Sequence, residues 1–161
     1  MFGFFKKNKT IMITAPMKGE AVHLSEVPDE VFSQKMIGDG IAIKPSHGMV
    51  VSPCNGTVAQ ILSSNHAVGI VMEEGLEVLI HVGIDTVELK GQGFRRIANV
   101  GDQVKIGDPL IEVDLDFLVS QGKPTITPVI ITNMEMVEKL DVTIGNVTGG
   151  KSQIVEVEMK R

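Results

Sequence analysis

Short runs of valine, isoleucine and threonine, separated by glycine and proline, constrain the fold of this chain more than any other feature. The sequence contains 17 glycines and 7 prolines, and they lie next to most of these runs. Runs of this length between turn residues are typical of β-strands, and their regular spacing is typical of sandwiches and barrels. We therefore predict an all-β fold, an antiparallel β-sandwich or barrel-like single domain with short helical turns.

The pattern of runs also predicts where the strands and helical turns lie. The predicted strands are residues 11–14, 40–44, 49–51, 56–62, 68–72, 77–82, 110–113, 127–131, 141–143 and 154–158. The predicted helical turns are residues 28–32, 116–121 and 134–140. We assign residues 11–161 to one domain, because this length is sufficient for a hydrophobic core. Residues 1–10 are predicted to form a flexible tail rich in Phe and Lys.

Composition narrows the classes of partner and the compartment. The net charge is -5 and Trp and Tyr are absent, which disfavours nucleic acid, because phosphate backbones need a basic face and single strands need aromatic platforms. Cys54 is the one cysteine, so we interpret it as a small buried side chain in a reducing cytoplasm. Residues 1–9 have the composition of a weak peripheral membrane anchor, since Phe enters the interface and Lys attracts anionic lipid.

Two of the four histidines, His66 and His81, are joined by a segment that resembles a β-hairpin. Two apolar arms of five residues flank residues 72–75, MEEG, a polar loop that ends in glycine. With a four-residue loop, Val71 pairs with Leu76 and His66 pairs with His81 on the same face of the sheet. A three-residue loop would place the two rings on opposite faces.

Two neutral imidazoles side by side can bind a metal, act as a nucleophile with a proton partner, or simply pack. Zinc sites use three or four protein ligands, and Asp85 would lie about 13 Å from His81 on a straight strand. Phosphoryl transfer fits better, because a histidine nitrogen can attack phosphorus while a second ring N–H stabilises its oxygens. Ser64 is expected on the same strand face as His66, where its hydroxyl would bond a ring nitrogen and fix the tautomer.

The phosphoryl donor is expected to be another phosphoprotein, because the sequence has no nucleotide-binding GxxxxGK[ST] loop. Such a donor needs a shallow, exposed site with an apolar rim. The candidate rim residues are Phe32, Met36, Ile37 and Ile84.

The chain resembles the glucose-type enzyme IIA component of the bacterial phosphoenolpyruvate-dependent sugar phosphotransferase system. The resemblance runs from about residue 11 to residue 160 and is carried by residues 27–32, 35–45, 64–67, 79–91 and 127–133. It implies that His81 is phosphorylated on Nε2 and that His66 hydrogen-bonds the phosphate. Ser64 stands where the family usually has threonine. Asp39 and Asp85 match acidic residues that shape partner docking.

The resemblance also implies partners and leaves alternatives open. The donor would be the histidine-containing phosphocarrier protein, and the acceptor would be a cysteine in the IIB domain of a membrane sugar permease. No cofactor is required, although His66 and His81 would suit zinc completed by a carboxylate of a regulated target enzyme. The alternatives are a regulatory binding protein that uses the same face, a lipoyl or biotinyl carrier, for which Lys18 is poorly placed, and a zinc peptidase, which would need an HxH pair.

Overall fold

The predicted all-β fold is confirmed by the computed structural model, which describes residues 9–161. Every strand pair in these residues is antiparallel. The strands are β1 (Thr10–Thr14), β2 (Gly19–His23), β3 (Asp39–Pro45), β4 (Met49–Val51), β5 (Gly56–Ile61), β6 (Ala67–Met72), β7 (Glu77–His81), β8 (Phe94–Arg96), β9 (Gln103–Val104), β10 (Pro109–Val113), β11 (Thr127–Ile131), β12 (Val137–Val142), β13 (Gly145–Val147) and β14 (Gln153–Met159). The helices are α1 (Glu30–Ser33), α2 (Leu115–Ser120) and 3-10 turns at Leu24–Glu26, Thr86–Leu89 and Met134–Met136.

The strands of residues 9–161 form one large and two small sheets. The large sheet, called the main sheet below, has the order β13-β2-β3-β11-β7-β6-β5-β9. The small sheets have the orders β1-β14-β12 and β4-β10-β8. The outer strands of the main sheet, β13 and β9, do not pair with each other, so the sheet is open and not a closed barrel.

The two faces of strand β7 contact two different hydrophobic clusters. Val78 and Ile80 are buried in the larger hydrophobic cluster, which lies on one face of the strand. Leu79 and His81 alternate with them and therefore point to the opposite face. A smaller cluster lies there, formed by Val22, Leu24, Val27, Phe32, Ala42, Ile84, Ile126 and Ile130. His81 thus stands at the end of β7 beside this smaller cluster.

The structure differs from the predicted elements mainly at short or exposed segments. In residues 9–161, the runs do not reveal β2, β8, β9 and β13, and three of these strands have only two or three residues, too few to show an alternating pattern. The predicted helical turn at residues 134–140 is correct only for Met134–Met136. Residues Val137–Val142 form β12 instead, because they pair with β14.

The last two residues of the predicted tail, Lys9 and Thr10, belong to the folded domain. Thr10 lies in β1, and the carbonyl oxygen of Lys9 accepts a hydrogen bond from the Met159 amide at 2.8 Å. The rest of the predicted tail, and with it most of the predicted membrane anchor, lies outside the described residues. In the part of the chain that the structure describes, no helix is long and apolar enough to span a membrane.

Candidate functional site

The hairpin of β6 and β7 has a register one residue away from the prediction. Ala67, not His66, pairs with His81, and Val71 pairs with Glu77. The loop has three residues, because Met72 stays in strand β6 and its amide donates to the Leu76 carbonyl at 2.9 Å. Gly75 closes the loop with φ 99, a left-handed conformation that favours glycine. The predicted direct pairing of His66 with His81 is therefore wrong.

The two histidine rings meet nevertheless, by a different route. Their centroids are 5.0 Å apart and their planes make an angle of 81°, an edge-to-face arrangement. His66 lies just before β6, where the chain leaves a turn in which Asn65 has φ 58. The orientation of the His66 side chain is therefore set by the turn, so the strand alternation that would separate the rings does not apply to it.

The tautomer of His81 is set by a backbone carbonyl. Nδ1 of its half-buried ring lies 2.8 Å from the carbonyl oxygen of Gly83. A carbonyl oxygen can only accept a hydrogen bond, so Nδ1 carries the proton in the neutral ring and Nε2 keeps a free lone pair. Burial lowers the pKa of His81, against the opposing effects of the Gly83 carbonyl and the negative charges of Asp29 and Asp85. The ring is therefore neutral near pH 7, with Nε2 as its nucleophilic atom.

The Gly83 carbonyl is held in place by the turn that follows β7. Gly83 has φ 75, and a Cβ at this position would lie 2.6 Å from Cγ2 of Thr86 and 2.8 Å from the carbonyl oxygen of Pro124. The Thr86 hydroxyl donates to the Val82 carbonyl at 2.6 Å, and the Ile84 amide donates to Pro124 at 3.1 Å. Only glycine fits this position without displacing the carbonyl that sets the His81 tautomer.

Gly83→Ala should lower the free energy of unfolding by about 3 kcal/mol or more, because the strained φ and the collisions add together. Gly122→Ala is a matched control, since Gly122 has φ 73 and nothing within 4 Å of an added Cβ. The control should lose only about 1 kcal/mol, the cost of the left-handed conformation. Urea denaturation of the two variants measures the difference. Equal losses of unfolding free energy would contradict the prediction, because they would mean that the residues around Gly83 accommodate the added methyl group.

His66 is the more deeply buried ring of the pair. It is 2% exposed, and burial, together with the neighbouring His81, lowers its pKa to about 4. Its Nδ1 is buried and has no hydrogen-bond partner among residues 9–161. Ser64 lies in the preceding turn and not on a strand as predicted, and the structure gives its hydroxyl no bond to this nitrogen. His66 is therefore a neutral ring with one unused polar atom.

The predicted rim residues divide into two groups. Met36 is 68% exposed and Ile37 is 41% exposed, so both lie on the surface. Phe32 and Ile84 do not, because both are buried in the smaller cluster. The Phe32 ring instead contacts His81, with 5.0 Å between the ring centroids.

The predicted docking carboxylates lie at the start of β3, for Asp39, and in the turn after β7, for Asp85. Asp39 accepts a hydrogen bond from the Gly40 amide at 2.8 Å and lies 3.5 Å from the Lys35 ammonium group. Asp85 is exposed, with φ 60. Two further apolar residues are exposed, Val31 in α1 and Val87 in the 3-10 turn after Asp85. No sequence pattern distinguishes them, because isolated valines occur throughout the chain.

Neither the one cysteine nor a cluster of metal ligands offers a second reactive centre in the described part of the chain. Cys54 is buried as predicted, and burial raises the pKa of its thiol to about 12. Residues 9–161 contain no group of three or more His, Cys, Asp or Glu side chains that would hold a metal ion. Zinc at His66 and His81 would need a further ligand from a partner protein, so this alternative stays untested.

The chain is similar in sequence to proteins of a known family. Residues 11–137 match the family model for the phosphoenolpyruvate-dependent sugar phosphotransferase system, EIIA 1. The chain is 44% identical to the glucose-specific EIIA component of Staphylococcus epidermidis over 98% of this chain and 96% of that protein. It is 42% identical to the component of the same name from Bacillus anthracis, over 99% and 98% of the two chains.

A solved structure extends the likeness to three dimensions. The glucose permease IIA from Mycoplasma capricolum superposes with a TM-score of 0.84 and 33% identity, covering 97% of this chain and 99% of that one. Both sequence and fold are therefore similar over nearly the whole length. The chain belongs to the EIIA 1 family of the phosphoenolpyruvate-dependent sugar phosphotransferase system.

Proposed function

We propose that this protein carries a phosphoryl group on Nε2 of His81, taking it from the histidine-containing phosphocarrier protein and passing it to a cysteine in the IIB domain of a membrane sugar permease. The observation that carries the proposal is the 2.8 Å contact between Nδ1 of His81 and the Gly83 carbonyl, which leaves Nε2 as a neutral nucleophile. Glucose is the proposed sugar, because the relatives described above are named as glucose-specific. The proposed location is the cytoplasm, where both partners are accessible.

The transfer needs no proton to move within the His81 ring. The Nε2 lone pair forms the new bond to phosphorus while the bond from phosphorus to the donor histidine breaks, and that electron pair stays on the donor nitrogen. In the second step a cysteine thiolate attacks phosphorus, and the electron pair of the broken N–P bond returns to Nε2. The proton stays bonded to Nδ1 throughout and is donated in a hydrogen bond to the Gly83 carbonyl, so the carbonyl keeps the ring in the reactive tautomer.

His66 is proposed to stabilise the phosphoryl oxygens. A neutral imidazole has one N–H, and the edge-to-face contact at 5.0 Å brings this ring beside His81. If Nε2 donates to the phosphate, Nδ1 becomes a buried acceptor that needs a donor. The hydroxyl of Ser64, two residues away, is proposed to supply that donor by a change of side-chain rotamer.

Docking is proposed to use the exposed apolar residues near the site together with its carboxylates. Met36 and Val87 are each more than half exposed, and their burial in a complex would be favourable. Asp39 and Asp85 add negative charge, which favours partners with a basic docking face. A shallow surface of this kind suits transfer between two proteins, because both partners must reach Nε2 of His81 in turn.

The proposal is tested by incubating the protein with phosphoenolpyruvate and the two general proteins of the phosphotransferase system, then mapping acid-labile phosphate by mass spectrometry. We expect one phosphoryl group per chain, located on His81. Addition of the IIB domain should then discharge it. Absence of label, or label on His23, His47 or His66, would exclude the proposed role of His81.

A further inference from the structure

The turn that precedes β6 determines where the His66 ring lies. The Asn65 amide donates to the Leu62 carbonyl at 2.7 Å, and the Leu62 amide donates to the Ala67 carbonyl at 3.1 Å. Asn65 itself has φ 58, a conformation that costs energy for residues other than glycine and that asparagine tolerates best among them. His66 follows this residue directly, so a change in the turn would move its ring.

One side chain from another sheet holds this turn. Nε of Arg96, on β8 of the β4-β10-β8 sheet, donates to Oδ1 of Asn65 at 2.9 Å. The adjacent Arg95 is used differently, because its Nε and Nη2 both donate to Glu112 within its own sheet, at 3.1 and 3.0 Å. Two neighbouring arginines on one strand therefore have separate roles, and only Arg96 reaches the turn before His66.

We propose that Arg96 is a positioning residue for phosphoryl transfer, acting through Asn65 to hold the His66 ring against His81. Nδ1 of His66 has no partner among residues 9–161, so no hydrogen bond from that atom fixes the ring. The ring position therefore depends on packing and on the backbone at residues 65 and 66, where the Val82 amide donates to the His66 carbonyl at 2.7 Å and the Arg96–Asn65 bond restrains the preceding residue. This inference rests on the proposed function of His81 and His66, and it adds a contact between two sheets to their site.

Loss of the bond should weaken delivery of the phosphoryl group more than its acceptance. Arg96→Ala should lower the rate of transfer to the IIB domain about tenfold, because a small displacement of a stabilising donor has effects of this size or larger. Asn65→Gly should give a similar loss, since glycine keeps the left-handed turn but removes Oδ1. Asn65→Asp keeps an acceptor oxygen and should restore most of the rate.

Arg95→Ala is the matched control, because it removes an exposed arginine from the neighbouring position on β8. It should transfer at the wild-type rate. The double variant with Arg96→Ala and Asn65→Gly should be no slower than either single variant, since both remove the same bond. Thermal unfolding of each variant checks that the fold is retained.

A spectroscopic measurement is independent of transfer. In the unphosphorylated protein, NMR titration of the His66 ring should give a higher pKa in Arg96→Ala than in the wild type, because a looser ring is better solvated. Arg95→Ala should leave the titration unchanged. If the substitutions affected only the overall stability of the fold, the His66 pKa would not differ between Arg96→Ala and Arg95→Ala.

The outcomes separate this inference from the proposed function. If wild-type protein takes no phosphate on His81, the proposed function fails. If the wild type is phosphorylated but Arg96→Ala transfers like Arg95→Ala, the inference alone is overturned. It is also overturned if Arg96→Ala is slow while Asn65→Gly is normal, because the arginine charge would then act directly and not through the turn.

Discussion

His81→Ala should accept no phosphate at all, with the rate of labelling reduced by at least about 10⁴-fold, the size of effect seen when a nucleophile is removed. The reason is the tautomer. His81 presents a free lone pair on Nε2, because its Nδ1 donates to the Gly83 carbonyl. Burial keeps the ring neutral, so the lone pair is not lost to a proton near pH 7. The measurement is incorporation of acid-labile phosphate from phosphoenolpyruvate in the presence of the two general proteins.

His47→Ala is the matched control for this prediction. Nδ1 of His47 lies 3.2 Å from the Met49 amide, which can only donate, so the proton of its neutral ring is on Nε2. His47 therefore presents the opposite tautomer on an exposed ring, and its removal should leave labelling unchanged. Labelling of His81→Ala at more than a trace, or its loss in His47→Ala, would contradict the assignment of the nucleophile.

The meeting of His66 and His81 was predictable from the sequence, but the register that brings them together was not. A loop of residues 72–75 places the histidines directly opposite each other, whereas the structure keeps Met72 in the strand and shifts the pairing by one residue. The final glycine of that loop fits both readings, because Gly75 is left-handed at the end of a three-residue loop as well. The shift is compensated by the turn at Asn65, whose conformation no hydrophobic pattern reveals.

Other parts of the site depend on contacts between residues far apart in the chain. Phe32 is predicted on the rim, yet its ring packs against His81, because α1 folds over the smaller cluster. Arg96 bonds Asn65 across 31 positions of sequence and between two sheets. By contrast, the Gly83 turn lies within a few residues of His81, and a glycine directly after a strand is a local signal of a turn. The turn next to His81 could therefore be predicted from the sequence, whereas the contacts made by Phe32 and Arg96 could not.

His66→Ala should still accept phosphate, at a rate within about threefold of the wild type, but should deliver it to the IIB domain about 10²- to 10³-fold more slowly. Acceptance uses a neutral imidazole as the nucleophile. Delivery brings an anionic thiolate towards an anionic phosphoryl group, so the donor N–H proposed for His66 matters more in that step. The measurement is the rate at which phosphorylated protein, isolated first, loses its label on addition of the IIB domain.

His66→Gln makes the same experiment more specific. Glutamine keeps an N–H donor on a side chain of comparable reach, so this variant should recover part of the delivery rate that alanine loses. The pKa of His66, lowered to about 4 in the unphosphorylated protein, means that this ring is neutral and not a cation when His81 accepts the phosphoryl group. Acceptance by the wild type should therefore not depend on protonation of His66 between pH 6 and 8, about two or more units above that pKa. If His66→Ala and His66→Gln delivered phosphate equally slowly, the shape of the ring and not its N–H donor would be responsible. If both variants delivered phosphate at the wild-type rate, His66 would have no part in the transfer.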